Sequence, residues 1–572
     1  MPERLHASSD RYPPAGRDDA LALETDVLVI GGSLAGAWAA LSARRSGARV
    51  VLAEKGYVGT AGAAAPANVG GYYANPSDPE QAHKAVHARH ASACDMDDLA
   101  HVRKVYVQSF HAYSELEALG FQFHSRPNGL SQMGRFIGGY TLHFLRQALK
   151  KAGVKILDHC PALELLRDGD GGIAGAAGIA RQQRKPWTVR AGAVVAATGG
   201  GSFLSGAMGT RGLTCDGHLM AAEAGATLAN LEFSALYGFA PLGSPSTKGF
   251  MYDSATFYDG NRRPLDAGSG RKATEALARA ILETGGAYAV LDKAPEGFER
   301  WARLNHAVSF LYFDRLGINP FKDLWPLQML LEGHTRGVGG LVIDARCATG
   351  VPGLYAAGDL TDRLRLVGAG MSGGGPAVAW CFASGQWAGE AAAAHALSRP
   401  ASRGALQGLG TAGLRPRRQP RHDLADTVRD GTREEILPLQ KHYFRSAATL
   451  GTSLDKLDAL WHQARDHLAP EGPDHALAAR EAAALAASAR WLQTCALHRQ
   501  ETRGLHRRHD FPAQNAGGLL YTQRISGLDH PRLWREPLAW AQDAPPPLAG
   551  PRAAGDTPRQ PQDTSLTASH AH

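Results

Sequence analysis

The residue types best suited to chemistry begin with a cluster made for phosphate. Gly31, Gly32, Ser33, Ala35 and Gly36 stand in a short turn directly after the apolar run Val27–Ile30. Gly31 permits a tight turn, Ser33 is small enough for backbone to approach a pyrophosphate, and Gly36 lets a following helix pack close to the strand. The usual pattern has a glycine where Ser33 stands. A helix starting there would aim free N–H groups and a positive dipole end at the phosphates. Glu54 closes the next apolar run, 18 residues after Gly36, where a carboxylate can accept from both ribose hydroxyls. An acid at that place favours an unphosphorylated ribose, hence FAD or NAD over NADP. Lys55, Thr60 and Ala61 follow in the next loop and count as further candidate cofactor contacts.

Three more segments discriminate FAD from NAD. Ala193–Ala197 is a second apolar strand ending in Thr198, Gly199 and Gly200. A third strand ends in Gly358 and Asp359, an acid placed to meet a ribityl hydroxyl. Gly374, Pro376 and Ala377 open an Ala-rich helix whose N-terminus can stabilise negative charge on a reduced flavin ring.

The elements that must hold these groups can be outlined. At 572 residues the chain has room for two or three domains. With 44% hydrophobic and 20% charged residues it has the composition of a soluble globular protein. The net charge of +7 comes without aromatic-interleaved basic repeats or zinc spacing, which argues against a nucleic-acid role. The six cysteines stand far apart with no CxxC pair, so neither a metal site nor an iron–sulfur cluster is expected. The N-terminus has no apolar signal-like stretch, and no run of 18 apolar residues occurs. A cytoplasmic protein without a transmembrane segment is the expectation.

The pattern predicts an α/β fold: a Rossmann-like FAD-binding domain with an inserted α+β capping domain and a C-terminal helical domain. The predicted divisions are a flexible lead (1–22), a first FAD-binding part (23–236), a cap (237–333) and a second FAD-binding part (334–398). A linker (399–420), a helical domain (421–515) and an extension (516–572), largely disordered at its end, follow.

Five segments carry a family resemblance: DVLVIGGSLAG (26–36), VVAATGG (194–200), CDGHLMAAEAGATLANLEF (215–233), GLYAAGD (353–359) and ETRGLHRRHDFP (501–512). In this order they resemble the fumarate reductase/succinate dehydrogenase flavoprotein superfamily, which includes L-aspartate oxidase and the adenylylsulfate reductase flavoprotein. The resemblance spans roughly residues 24–515. It implies a mobile cap, an active site between flavin and cap, and Asp216 among the cofactor contacts. Some members attach FAD through a His in the loop after the second strand. The matching loop, Gly59–Ala65, holds no His, so non-covalent FAD is expected.

The resemblance also exposes departures. The family's substrate His falls on Tyr237. Its cap arginine falls near Gly249, with Lys248 adjacent, and its Gly-loop arginine falls on Met371. Only the His before the Gly-rich strand keeps a counterpart, His334. Methionine cannot replace a bidentate arginine at an anion site. The expected activity is therefore hydride transfer between flavin N5 and a small organic substrate other than succinate or fumarate. His334 or Tyr237 would move a proton, and Arg336 or Lys248 would meet one anionic group. Against these roles stand a capping or surface His334 and a core Tyr237. Arg363 and Arg365, which follow Asp359, are read as surface residues, with one of them facing the site as the alternative, and Arg503 and His506 as supports of the flavin-facing loops. The alternative is a flavoprotein subunit that passes electrons to an iron–sulfur, ferredoxin-like partner, docked on the basic C-terminal region. An inactive FAD-binding scaffold is a third reading.

Overall fold

The run Val27–Ile30 is apolar on consecutive residues, which suits a strand covered on both faces rather than one with a wet side. In the computed structural model, which describes residues 21–123, 132–247, 249–268, 270–370, 374–399, 404–515 and 518–541, Val27, Leu28 and Val29 are fully buried. Strand Leu21–Ile30 pairs in parallel with Val50–Ala53 on one side and with Lys185–Ala196 on the other. The latter is long enough to change partners. Its first half runs antiparallel to Ile173–Ala180, and its last residues run parallel to Leu354–Ala356. The eight-stranded sheet is completed by Lys155–Leu157 at one edge and by Ala162–Arg167 with Gln407–Gly408 at the other.

One face of this sheet is covered by helices Leu34–Arg45 and Gly374–Ser398, packed around Trp38 and Phe382. Helix Asp216–Glu223 and the C-terminal helices Leu424–Ile436, Ala447–Asp466 and Pro473–His498 share the core of the other face. The segment from Tyr237 to Leu331 forms a separate antiparallel sheet in the order Tyr237–Pro241, Trp325–Leu331, Ala287–Val290, Thr256–Asp259. It has a core of its own around Phe239, Tyr252, Phe257, Phe313 and Trp325.

Two segments differ from their sequence reading. Residues 521–537, assigned to an extension, form a hairpin, Tyr521–Ser526 with Arg532–Pro537, that adds to the strand Leu228–Ala229. Ile525 is fully buried while arginines line the outer face, so the composition reads polar although the strand is anchored. The described part of the supposed linker is docked as well. Gly410 N donates to Glu164 at 3.0 Å and Thr411 N to Glu223 at 2.8 Å. Among the described residues no helix is long and apolar enough to cross a membrane.

Candidate active site

A cavity of about 710 Å³ opens at the C-terminal ends of the parallel strands, the place where open α/β sheets bind ligands. Gly31 sits at φ +103°, a backbone state that a side chain disfavours. A Cβ on Gly36 would collide with the Gly31 carbonyl oxygen. The turn is therefore held open by the absence of side chains, and Gly31, Gly32, Ser33 and Ala35 line the cavity. The Glu54 carboxylate accepts from Gly32 N at 2.6 Å and Gly56 N at 2.8 Å. Those two bonds fix its orientation and leave each oxygen a lone pair for a ribose hydroxyl.

Lys55, Thr60, Ala61, Thr198, Gly199, Asp216, Gly358 and Asp359 line the same cavity. Lys55 Nζ is bound to Thr214 Oγ1 (2.7 Å), Asp216 (2.8 Å) and Glu481 (2.5 Å), so it ties the cavity wall to the C-terminal helix. Gly200 lies behind the cavity, against the His334 backbone. Gly374, Pro376 and Ala377 do not line it. The start of their helix meets another segment, with Tyr72 N donating to Gly375 O at 3.3 Å. Arg181, Arg211 and Arg429 line the cavity and were missed. They come from three distant segments with no local motif, and a cofactor pyrophosphate would find cations among them.

The proposed catalytic residues are dispersed. His334 is fully buried, and its Nε2–H donates to Leu231 O at 3.0 Å. Among the described residues its Nδ1 has no hydrogen-bond partner. Burial lowers its pKa to about 4, so the ring is neutral at pH 7. Arg336 pairs with the buried carboxylate of Glu332 and lies near enough to Asp359 to lower that acid's otherwise raised pKa. Tyr237 is buried away from the cavity and donates to Leu437 O at 3.1 Å, which joins the second sheet to the C-terminal helices. Lys248 and Met371 lie outside the described residues.

Arg363, read as a surface residue, is instead wholly buried. It pairs with Asp359 and donates through Nη2 to the carbonyls of His334 (2.7 Å) and Gly337 (2.8 Å). It thus locks the cofactor loop to the His334 turn. Arg365, half exposed, pairs with Asp98. Arg503 and His506 belong to a buried network in which Arg499 bonds Glu232 and Glu501, Arg503 bonds Glu501, and Arg445 donates to His506 Nδ1 at 2.8 Å. Beside Glu332, Thr247 packs against Gly238, and the buried hydroxyls of Ser246 and Thr247 have no hydrogen-bond partner among the described residues. Sequence reasoning passed over both, because lone hydroxyls carry no pattern.

The cavity stands at the C-terminal ends of the parallel strands of a mixed sheet covered on both faces, and a glycine turn and the carboxylates of Glu54 and Asp359 line it, the arrangement of a dinucleotide-binding fold. Residues 26–376 match the FAD binding domain family, and residues 434–545 match the fumarate reductase flavoprotein C-terminal family. The chain belongs to the FAD binding domain family, in its fumarate reductase-like branch, and is an FAD-dependent oxidoreductase. It is 27% identical to an L-aspartate oxidase of Streptomyces coelicolor, over 89% of this chain and 90% of the relative. It is 26% identical to one of the subunits of the fumarate reductase (CoM/CoB) of Methanothermobacter marburgensis, over 86% and 95%. The fold is similar to FrdA of E. coli quinol fumarate reductase (TM-score 0.74, 19% identity, 91% of this chain and 97% of that one). It is also similar to adenylylsulfate reductase of Archaeoglobus fulgidus (TM-score 0.72, 18% identity, 93% and 98%).

Proposed function

We propose that the chain holds FAD non-covalently and transfers a hydride between it and a small organic substrate that is not a dicarboxylate. The observation that carries the second part is the Arg336–Glu332 ion pair. An arginine already neutralised by a buried carboxylate is a poor clamp for a substrate carboxylate, because binding would have to break that pair. Tyr237, at the position of the family's substrate His, is committed to Leu437. When bound, FAD supplies the hydride chemistry at N5. The chain's own residues do the rest. Glu54 fixes the ribose end and Asp359 the ribityl region, with Arg363 holding that loop in place. His334, held neutral by burial and with its Nδ1 lone pair without a partner among the described residues, is suited to accept a hydrogen bond from a substrate group rather than a full proton. Ser246 and Thr247 offer hydroxyls to a polar but uncharged substrate group.

Many relatives are named L-aspartate oxidase, which makes L-aspartate the direct competitor to this reading. The test is anaerobic mixing of the FAD-loaded protein with L-aspartate, succinate and a panel of uncharged alcohols and amines, following flavin absorbance. Bleaching by a member of the panel, with none by L-aspartate or succinate, is expected. Fast bleaching by either dicarboxylate overturns the reading. Acid precipitation should release all flavin into the supernatant.

The relative that belongs to a multi-subunit fumarate reductase favours a second reading, electron transfer to a ferredoxin-like iron–sulfur partner. Its test is whether the chain co-purifies with a protein carrying iron and acid-labile sulfide.

A further inference from the structure

A second cavity, of about 570 Å³, lies between the first turn of helix Leu99–Ala118, helix Gly374–Ser398 and the C-terminal hairpin. Its volume is in the ordinary range for small-molecule sites. Three indoles form its apolar walls: Trp380, Trp387 and Trp540. The first two meet edge-to-face with centroids 6.1 Å apart.

Its charged groups are unequally matched. Lys104 Nζ lies 4.7 Å from the centroid of the Trp387 ring, and among the described residues no carboxylate comes within ion-pair distance of it. Arg524 bonds Glu536 through Nη2 at 2.7 Å, but its buried Nε has no hydrogen-bond partner among the described residues. Arg365 is matched by Asp98. The Asp344 carboxylate accepts from the backbone N–H groups of Arg346 (2.8 Å) and Ala348 (2.9 Å), which holds it in its own turn. Asp362 accepts from Asn230 Nδ2 at 3.1 Å, and burial raises its pKa to about 7, which weakens its charge at neutrality. His101 is neutral, its pKa lowered to about 4 by burial.

We propose that this cavity binds a planar aromatic anion, its ring among the three indoles and its charged group drawn to Lys104 and Arg524. Indole walls with cations in reach suit such a ligand by stacking and by charge-assisted hydrogen bonding. An aryl carboxylate and a mononucleotide share this chemistry.

The site is one layer from the cofactor. Trp380 faces this cavity, while its neighbour Cys381 lines the cavity that holds FAD. Trp380 Nε1 donates to Gly358 O (3.2 Å) and Thr361 Oγ1 (2.8 Å), in the loop that carries Asp359. A ligand against Trp380 is therefore felt by the cofactor loop. The proposal is independent of the substrate reading above.

Calorimetric titration of the FAD-loaded full chain tests it, with naphthoate, adenosine monophosphate and the uncharged isostere naphthylmethanol as probes. One anion is expected to bind one-to-one, about tenfold or more tighter than naphthylmethanol, and to perturb the flavin absorption band. A preference for naphthoate assigns an aryl carboxylate, and a preference for the nucleotide assigns a mononucleotide. Lys104→Ala, a change at an exposed position, should weaken binding by about fivefold or more with FAD content unchanged. Trp387→Leu should weaken it further. Absence of one-to-one binding by either anion overturns the proposal, as does equal binding of naphthylmethanol, or unchanged affinity in the FAD-replete Lys104→Ala protein.

Discussion

Arg363 follows Asp359 by four residues in a loop, a place where an arginine is ordinarily solvated, yet it is fully buried with Asp359 as its ion partner and two carbonyls as acceptors. Replacing it leaves the part-buried Asp359 carboxylate without this cation and two buried carbonyls without a donor. Removing one partner of a buried pair costs about 3–5 kcal/mol, so Arg363→Met should lower the urea midpoint sharply and release FAD. A variant that keeps both its midpoint and its flavin would show that Asp359 does not need this partner. Glu54, in the proposed cofactor site, would act on the ribose directly. Glu54→Gln keeps the shape but loses the charge that would meet the ribose, a change of about 1.5–3 kcal/mol. FAD should bind the apoprotein about 10- to 100-fold more weakly, read by quenching of flavin fluorescence. Undiminished affinity would remove Glu54 from the ribose site.

Two helices set the cofactor turn against the sheet. An ideal Cβ on Gly385 of helix Gly374–Ser398 would stand 2.6 Å from the Ala35 carbonyl oxygen of helix Leu34–Arg45. Gly385→Ala must therefore push the helices apart, at about 1–3 kcal/mol, and with them the glycine turn proposed to meet the pyrophosphate. Lower thermal stability together with weaker FAD binding is expected. Loss of stability with full FAD affinity would mean the turn is held by the strand alone. This division explains what could be read in advance. The phosphate turn, Glu54 and the strands around them were legible because strand, turn, helix and strand are contiguous, so local pattern reports local geometry. The pairings Arg363–His334, Arg336–Glu332 and Tyr237–Leu437 were not. Arg363–His334 and Tyr237–Leu437 depend on how distant segments meet, Tyr237 and Leu437 being joined only through the packing of the second sheet on the C-terminal helices, and Arg336–Glu332, though four residues apart, lies in an irregular turn whose geometry the sequence pattern does not report. The hairpin Tyr521–Pro537 escaped notice for another reason. Its outer face is charged, and its inward residues, Ile525 and Gln523, satisfy a partner strand and Asn230 rather than a hydrophobic stripe.

At the scale of the whole molecule, the interior stores an unusual number of neutral histidines. Burial lowers the pKa of His101 and His334 to about 4 and of His218 to about 3. His442 and His506, enclosed with Arg445, are also held well below the ordinary value. Between these folded values and 6.5 the unfolded chain binds protons that the folded chain refuses, so the stability is complete above pH 6.5 and is lost as pH falls toward 4. Each group contributes a slope of up to about 1.4 kcal/mol per pH unit in that window. Asp362 acts in the opposite sense. Its pKa is raised to about 7, so the folded chain keeps a proton that the unfolded chain gives up, and its contribution falls as pH rises from about 4 to 7. Burial also raises Asp97, Glu115, Asp359 and Glu481, which act in the same sense as Asp362; the five histidines outweigh these acids between pH 5 and 6.5, and the net effect there is destabilisation by acid. Urea unfolding with saturating FAD should therefore show a lower midpoint at about pH 5 than at about pH 7. His506 sits among Arg445, Arg499 and Arg508, which all resist its protonation, so the acid-unfolded chain should refold only when the pH is returned above the histidine range. An equal or higher midpoint at the acid pH would mean that these rings gain protons inside the fold, against the burial and cationic surroundings that hold them neutral.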